Sequence, residues 1–273
     1  MKLIDSKVEV IEQQPGLEGI YKQIELAGRT CYKSEDKITE DSAKGFVDRM
    51  INSNHGAMLE HGTVYLITDD EIISSKYSRN RYSKVRWVGS FDNDEGAMML
   101  YYITTNLRVL VENYWLDDLK YVCEQTEHHV KRITARFTCD RGVSHEIVRH
   151  RVMSFAQESQ RYVGYDKEKF GGEVTFVKPH WYDEEFPACL TWIESLKESE
   201  KKYLELREAG LKPQDARGVL PNATKTEIVV TGFESDWEHF FSLRSPKAGA
   251  QGPHPDIAKL ADELYEKLNS VNK

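Results

Sequence analysis

An α+β fold, with helices flanking a mixed or antiparallel sheet, is what this sequence predicts, and three observations predict it. Short runs that alternate with period two, such as KVEVI and TVYLIT, are interspersed with longer stretches whose apolar residues recur at helical spacing. No segment repeats, and no low-complexity linker divides the chain. The 273 residues, 40% hydrophobic and 30% charged, can bury a substantial core and are neither disordered nor membrane-like in composition. A single elaborated domain over residues 1–273 is the simplest arrangement.

The elements follow in order. The start, MKLIDSKVEV, reads as a strand and not as a signal peptide, with Lys7 to Ile11 its clearest alternation. Thr39 to Asn52 places Phe46, Val47, Met50 and Ile51 on one helical face, and His55 follows directly. Thr63 to Thr68 and Ile133 to Thr138 both alternate and are expected to pair as neighbouring strands. Between them, Lys76 to Trp87 (KYSRNRYSKVRW) mixes cations with Tyr77, Tyr82 and Trp87. Such a mixture can stack and track a single-stranded nucleic acid, but a solvated hairpin or interface edge is the commoner use of a twelve-residue basic stretch. Asn106 to Leu110 begins a packed helix. Gly142 precedes a short helix with Val143, Ile147 and Val148 on its apolar side, which turns Glu146, Arg149 and His150 elsewhere. Met153 to Tyr162 is expected to run as a loop. Leu190 to Leu206 is a charged helix, Thr226 to Thr231 a strand, Trp237 to Leu243 an aromatic helix and Asp256 to Leu268 a last amphipathic one.

Charge and cysteine usage narrow the function. The formal charge of −8 argues against a general nucleic-acid coat, so no nucleic-acid partner is expected. Locally the sign reverses: Arg141 to Arg161 holds four arginines against Glu146 and Glu158. No apolar run approaches the ~20 residues that span a bilayer, so no membrane partner is expected and the cytoplasm is the expected location. Cys31, Cys123, Cys139 and Cys189 lack CxxC or metal-like spacing, which reads as four reduced thiols and no metal. Neither GxGxxG nor GxxxxGK[ST] occurs, so side chains must bind any phosphate.

Arg149 to Tyr162 reads RHRVMSFAQESQRY. Taken alone, cations in the last turn of a helix merely offset its dipole. The pattern Arg149-His150-Arg151, seven residues, Ser159, extended by Arg161 and Tyr162, resembles the signature of the flavin-dependent thymidylate synthases. Ala27 to Tyr32 (AGRTCY), His55 to His61 (HGAMLEH), Asp215 to Pro221 (DARGVLP) and Leu243-Arg244 occur in that family's order. Against its compact members the chain carries an insertion at about 69–130, before the signature.

The resemblance implies methylation of deoxyuridylate (dUMP) to thymidylate. The carbon comes from methylenetetrahydrofolate, and the reducing equivalents come from NADPH through FAD. It implies that His55, Arg149, His150, Arg151, Gln157 and His239 contact FAD. It implies a nucleotide pocket of Glu146, Arg149, Gln157, Glu158, Ser159, Arg161, Arg217 and Arg244. Arg244 would be catalytic, donating to the uracil edge as charge builds there. A homotetramer with shared sites is implied too, with folate as a further partner.

A cysteine-dependent route fits poorly: Cys189 in FPACL precedes an acidic helix, where a thiolate gains no support. Ser159 has no neighbouring base, so it is expected to position substrate. Two other readings stay open, a different flavin-dependent nucleotide modification and a non-catalytic RNA-binding protein.

Overall fold

The computed structural model describes residues 1–92, 96–168 and 171–270. In chain order the elements are β1 (Lys2–Ile4), β2 (Lys7–Ile11), α1 (Gly16–Tyr32), α2 (Ser42–Asn52), β3 (Thr63–Thr68), α3 (Glu71–Ser78), β4 (Lys84–Asp92) and β5 (Gly96–Asn106). Then come α4 (Leu107–Glu112), β6 (Arg132–Asp140), α5 (Arg141–Ile147), β7 (Ser154–Gln157), β8 (Thr175–Val177), α6 (Pro187–Glu208), α7 (Pro213–Ala216), β9 (Lys225–Phe233), α8 (Glu234–Arg244) and α9 (Pro255–Ser270). The strands form a four-stranded antiparallel sheet, β2-β6-β9-β7, a three-stranded antiparallel sheet, β3-β5-β4, and a parallel pair, β1-β8. Helices cover the sheets, as the sequence predicts.

β9 organises the molecule. From Ile228 to Phe233 it is buried without interruption, as a strand covered on both faces must be. Its alternation sends Ile228 and Val230 into a core with Phe137, Trp237, Phe240, Leu260 and Leu264, while Val229 enters a second core with Ile24, Phe46, Leu66 and Leu110. A third core, Val163, Phe176, Leu196 and Tyr203, lies under α6. Gly28 makes the second core possible, since a Cβ there would stand 2.3 Å from the Phe46 ring. This accounts for the glycine of AGRTCY without any contact to a ligand.

Two expectations are corrected. Thr63–Thr68 and Ile133–Thr138 do not pair: β3 joins β5, and β6 lies between β2 and β9. The partner that captures β3 comes from the 69–130 segment, in an eleven-residue strand whose alternation is broken by the run Tyr101-Tyr102 and two threonines. Met153–Tyr162 is not all loop either. Ser154–Gln157 forms β7, pairing from Ser154↔Thr231 to Gln157↔Ile228, and only Glu158–Tyr162 turns. Four residues are too few for a period of two to declare itself. The basic stretch ends α3 and enters the β4–β5 hairpin, with Lys84, Arg86 and Trp87 exposed, as a solvated hairpin requires.

Candidate active site

The site grows from the end of α5. Asp140 caps this helix, its Oδ1 accepting from the Val143 N–H at 2.8 Å, and Val143 and Ile147 fasten its apolar side to the core. Two turns later the helix stops, and Arg149 and Arg151 emerge exposed on either side of a buried His150. Neither arginine has a carboxylate partner among the described residues. Cations with nothing to neutralise them, on a turn held by a rigid helix and strand, are suited to a phosphate or pyrophosphate.

His150 is held differently. Its Nδ1 lies 3.0 Å from the Ile147 carbonyl oxygen, which can only accept, so Nδ1 carries the proton. Nε2 is then a lone pair, and the Arg244 Nε–H points to it at 3.4 Å. Burial keeps this imidazole below the ordinary histidine range, with the charges of Arg244 and His239 acting in the same direction and the Ile147 carbonyl opposing. The same guanidinium forms an ion pair with Glu146, one turn back on α5. Glu146, His150 and Arg244 therefore make one cluster, with His239 exposed on α8 nearby.

β7 separates this cluster from a second. On the α5 side of the sheet, the Gln157 amide donates to Ser144 Oγ at 2.8 Å and to Thr226 Oγ1 at 3.3 Å. Arg141 reaches Thr226 Oγ1 at 3.5 Å. On the α1 side, Glu158 is only 3% exposed and its carboxylate meets Lys225 at 2.8 Å. Lys225 also binds Glu227 at 2.8 Å, and Glu227 meets Lys33 at 2.9 Å. Burial opposes the charge on Glu227, but Lys225 and Lys33 outweigh it and hold the carboxyl at about 2. Burial likewise opposes the Lys225 charge, and its two glutamates outweigh it, raising the ammonium above the usual lysine range.

Ser159 donates its N–H to the Cys31 carbonyl at 3.0 Å, and its hydroxyl accepts the Arg161 N–H at 3.3 Å. No base lies beside that hydroxyl among the described contacts. Arg161 lies over the Tyr162 ring at 5.5 Å, Tyr162 packs on Tyr32 at 5.5 Å, and the Tyr32 hydroxyl is 3.3 Å from His55 Nδ1. His55 thus belongs to the second cluster and His239 to the first, with no contact between them among the described residues. Arg217, exposed, donates to the Gln214 carbonyl at 3.1 Å and has no carboxylate partner among the described residues.

Arg141 is the residue the sequence reading passed over. It is half-buried without a carboxylate partner among the described residues, and desolvation lowers its pKa, with the Arg217 charge pushing the same way. A cation in that state is stabilised by an anion. The signal available was the count of four arginines between Arg141 and Arg161, of which only the last three were assigned a role.

The cysteines do not supply a nucleophile. Cys31, nearest the site, has its thiol pushed up to about 11 by burial and by the Glu158 charge, and Cys189 is buried on the inner side of α6. The 69–130 segment does reach the signature: Arg81 and Tyr82 border a small crevice with Val152, Ser154 and Phe233, and Lys84 lies 5.7 Å over the Phe233 ring. A cavity of about 840 Å³ lies elsewhere, between β2, β3 and β6, and no predicted site residue lines it.

This geometry meets known proteins in one place. A family model described as thymidylate synthase complementing protein matches residues 97–272, well over half the chain. The chain belongs to this family. Its matched region begins inside the 69–130 segment and takes in the whole signature, Arg217 and Arg244. Curated relatives named flavin-dependent thymidylate synthase include one from Thermococcus kodakarensis, 38% identical over 150 residues, covering 55% of this chain and 59% of the relative. Others come from Pyrococcus furiosus (39% over 106 residues; 39% and 43%) and Mycobacterium tuberculosis (36% over 140 residues; 48% and 54%). The chain thus spans about half the length of the curated relatives it matches. Among solved structures, a UMP/dUMP methylase, PolB from Streptomyces cacaoi bound with 5-Br dUMP, aligns over 99% of this chain and 93% of its own, with a TM-score of 0.48 and 18% identity.

Arg149 and Arg151, without a carboxylate partner among the described residues, leave guanidinium donors for an anion, and His150 presents a ring edge beside them. No helix of the described residues is long and apolar enough to cross a membrane.

Proposed function

We propose that this chain methylates dUMP to thymidylate as a flavin-dependent thymidylate synthase. In the balanced reaction dUMP, methylenetetrahydrofolate, NADPH and a proton give thymidylate, tetrahydrofolate and NADP⁺. The observation that carries the proposal is the set of arginines without carboxylate partners among the described residues, Arg149 and Arg151 before β7, Arg161 after it, and Arg217, while the buried Glu158 beside them is paired with Lys225. Family membership and the relatives' names support it.

FAD, when bound, supplies the hydride. The chain's own residues bind and orient. Arg161, Arg217 and Arg141 hold the nucleotide phosphate, while Arg149 and Arg151 hold the flavin pyrophosphate. Gln157 lies between Ser144 and Thr226 with its amide oxygen open to a nucleotide donor. Arg244, steadied by Glu146 and by the Nε2 lone pair of His150, points a pre-set donor at the uracil edge, where such a donor matters most as negative charge develops. Ser159 positions substrate. His55 and His239 lie in different clusters of one chain, as a site completed by another subunit would require, and we take the chain as a cytoplasmic homotetramer.

The test begins with colour. The purified protein should take up FAD, and dUMP should perturb the flavin spectrum; thymidylate should then form from methylenetetrahydrofolate and NADPH. A protein that takes up no FAD under native conditions refutes the proposal, and a product other than thymidylate moves the chain to another nucleotide modification. Denaturing mass spectrometry during turnover should find no nucleotide attached to Ser159 or to any cysteine. Such an adduct would overturn the assigned roles.

A further inference from the structure

We propose that His180, His254 and Asp256 form a binding site for a divalent transition-metal ion of the zinc class, remote in the sequence from the signature and independent of the proposed reaction. His180 follows β8, and His254 and Asp256 lead into α9, so two separate segments meet here. His180 Nδ1 is 3.3 Å from Asp256 Oδ1, and His254 Nδ1 is 3.7 Å from Oδ2. One ligand atom from each residue lies within 4.8 Å of the others, the one such grouping of three among the described residues.

Those separations are those of a coordination shell. With metal–ligand bonds of about 2.0–2.2 Å, the ligand atoms of a tetrahedral zinc stand roughly 3.3–3.5 Å apart. Two edges are already near that length. The widest needs only rotation of the imidazoles, and both are free to turn, at 39% and 55% side-chain exposure. The carboxylate is the fixed corner: it is 16% exposed, and its Oδ1 accepts the His180 backbone N–H at 2.6 Å.

The Asp256 N–H approaches His254 Nδ1 at 3.4 Å, so that nitrogen carries a lone pair and not a proton. The contact is a long one, and turning the imidazole away from it frees the lone pair for an ion beside the carboxylate. Two imidazoles with one carboxylate suit zinc, whereas magnesium and calcium take oxygen shells. The fourth position is open to water. An ion there would pin the segment after β8 to the start of α9, beside Asp140, whose carboxyl is influenced by Asp256 and His254 and whose Oδ1 caps α5.

The experiment uses the untagged full-length chain, stripped with a chelator and dialysed, then titrated with Zn²⁺ by calorimetry and with Co²⁺ by absorption. One ion should bind per chain, the cobalt spectrum should lack a thiolate charge-transfer band, and zinc should raise the melting temperature. His180→Ala and His254→Gln should each weaken binding at least about tenfold and abolish the thermal shift. Their circular dichroism and FAD uptake should stay those of the parent chain. No stoichiometric binding would overturn the proposal. A thiolate band would overturn it by placing the ion on Cys123, whose sulfur is 3.8 Å from His129 Nε2, and so would unchanged affinity in both variants.

Discussion

On the α1 side of β9, Lys225 stands between Glu158 and Glu227, and Lys33 closes the chain of charges; Arg149 and Arg151 before β7, Arg161 after it, and Arg217 stand exposed with no carboxylate partner among the described residues. One short stretch of sequence feeds both regions. The buried one is complete, because a charge removed from water must find its partner within the fold. The exposed one is incomplete, because water satisfies it until an anion arrives. The difference separates the signature's structural work from its binding work.

The comparison breaks most readily at Lys225. Lys225→Met leaves Glu158 and Glu227 sharing a buried site with one fewer cation, and it should destabilise the fold by about 3–5 kcal/mol. The midpoint of urea unfolding measures this, and a midpoint equal to that of the parent chain would show that the network is not structural.

Arg244 lies between the two regions, paired yet facing the proposed substrate. Arg244→Ala should lower the rate at saturating dUMP by roughly a hundredfold, as expected for one donor to developing charge, while the unfolding midpoint changes little. An unchanged saturated rate would return Arg244 to a purely structural pairing with Glu146.

Arg161→Ala and Arg217→Ala probe the open region. Each should weaken dUMP binding by about 1.5–3 kcal/mol, the worth of a hydrogen bond to a charged group, and shift stability by less than about 0.5 kcal/mol. Calorimetric titration with dUMP distinguishes this from a stability effect. Loss of stability without loss of affinity would reverse the roles of the two regions.

Acid gives an effect of similar size and the sharpest sign. Glu227 has its carboxyl lowered from 4.5 to about 2, so its ionised form favours the folded state. Its contribution, about 2 kcal/mol once partial exposure is allowed for, is present above pH 4.5 and is lost as the pH falls toward 2. Urea midpoints measured down through that window should fall more steeply for the parent chain than for Glu227→Gln. Parallel curves would mean that the lysines do not depress this carboxyl.

Much of this was legible before any coordinates. Lys7–Ile11 is a strand over the span its alternation marks, and the helices of residues 187–208, 234–244 and 255–270 all contain the stretches read from apolar spacing. The signature lies where α5 ends, as the polar side of that helix indicates. β7 escaped because four residues carry no readable period, and β3 was given the wrong neighbour because β5 was not recognised. Arg141 has no local signal of its setting, since the side chain it reaches, Thr226, lies 85 residues away.

The sequence by itself determined the chemical inventory: a cluster of arginines on an acidic chain, no glycine-rich phosphate loop, no CxxC or metal-like spacing of cysteines, and the signature that led to the family. Side-chain type sets what a group can donate, accept or ionise, and that survives any folding. Tertiary structure alone decided which charges are spent within the protein and which remain for a ligand. Glu158 and Arg161 are three residues apart and look equally available in the sequence. One meets Lys225 across β9 at 2.8 Å and the other faces water, because pairing depends on distances between strands that only the folded chain brings together.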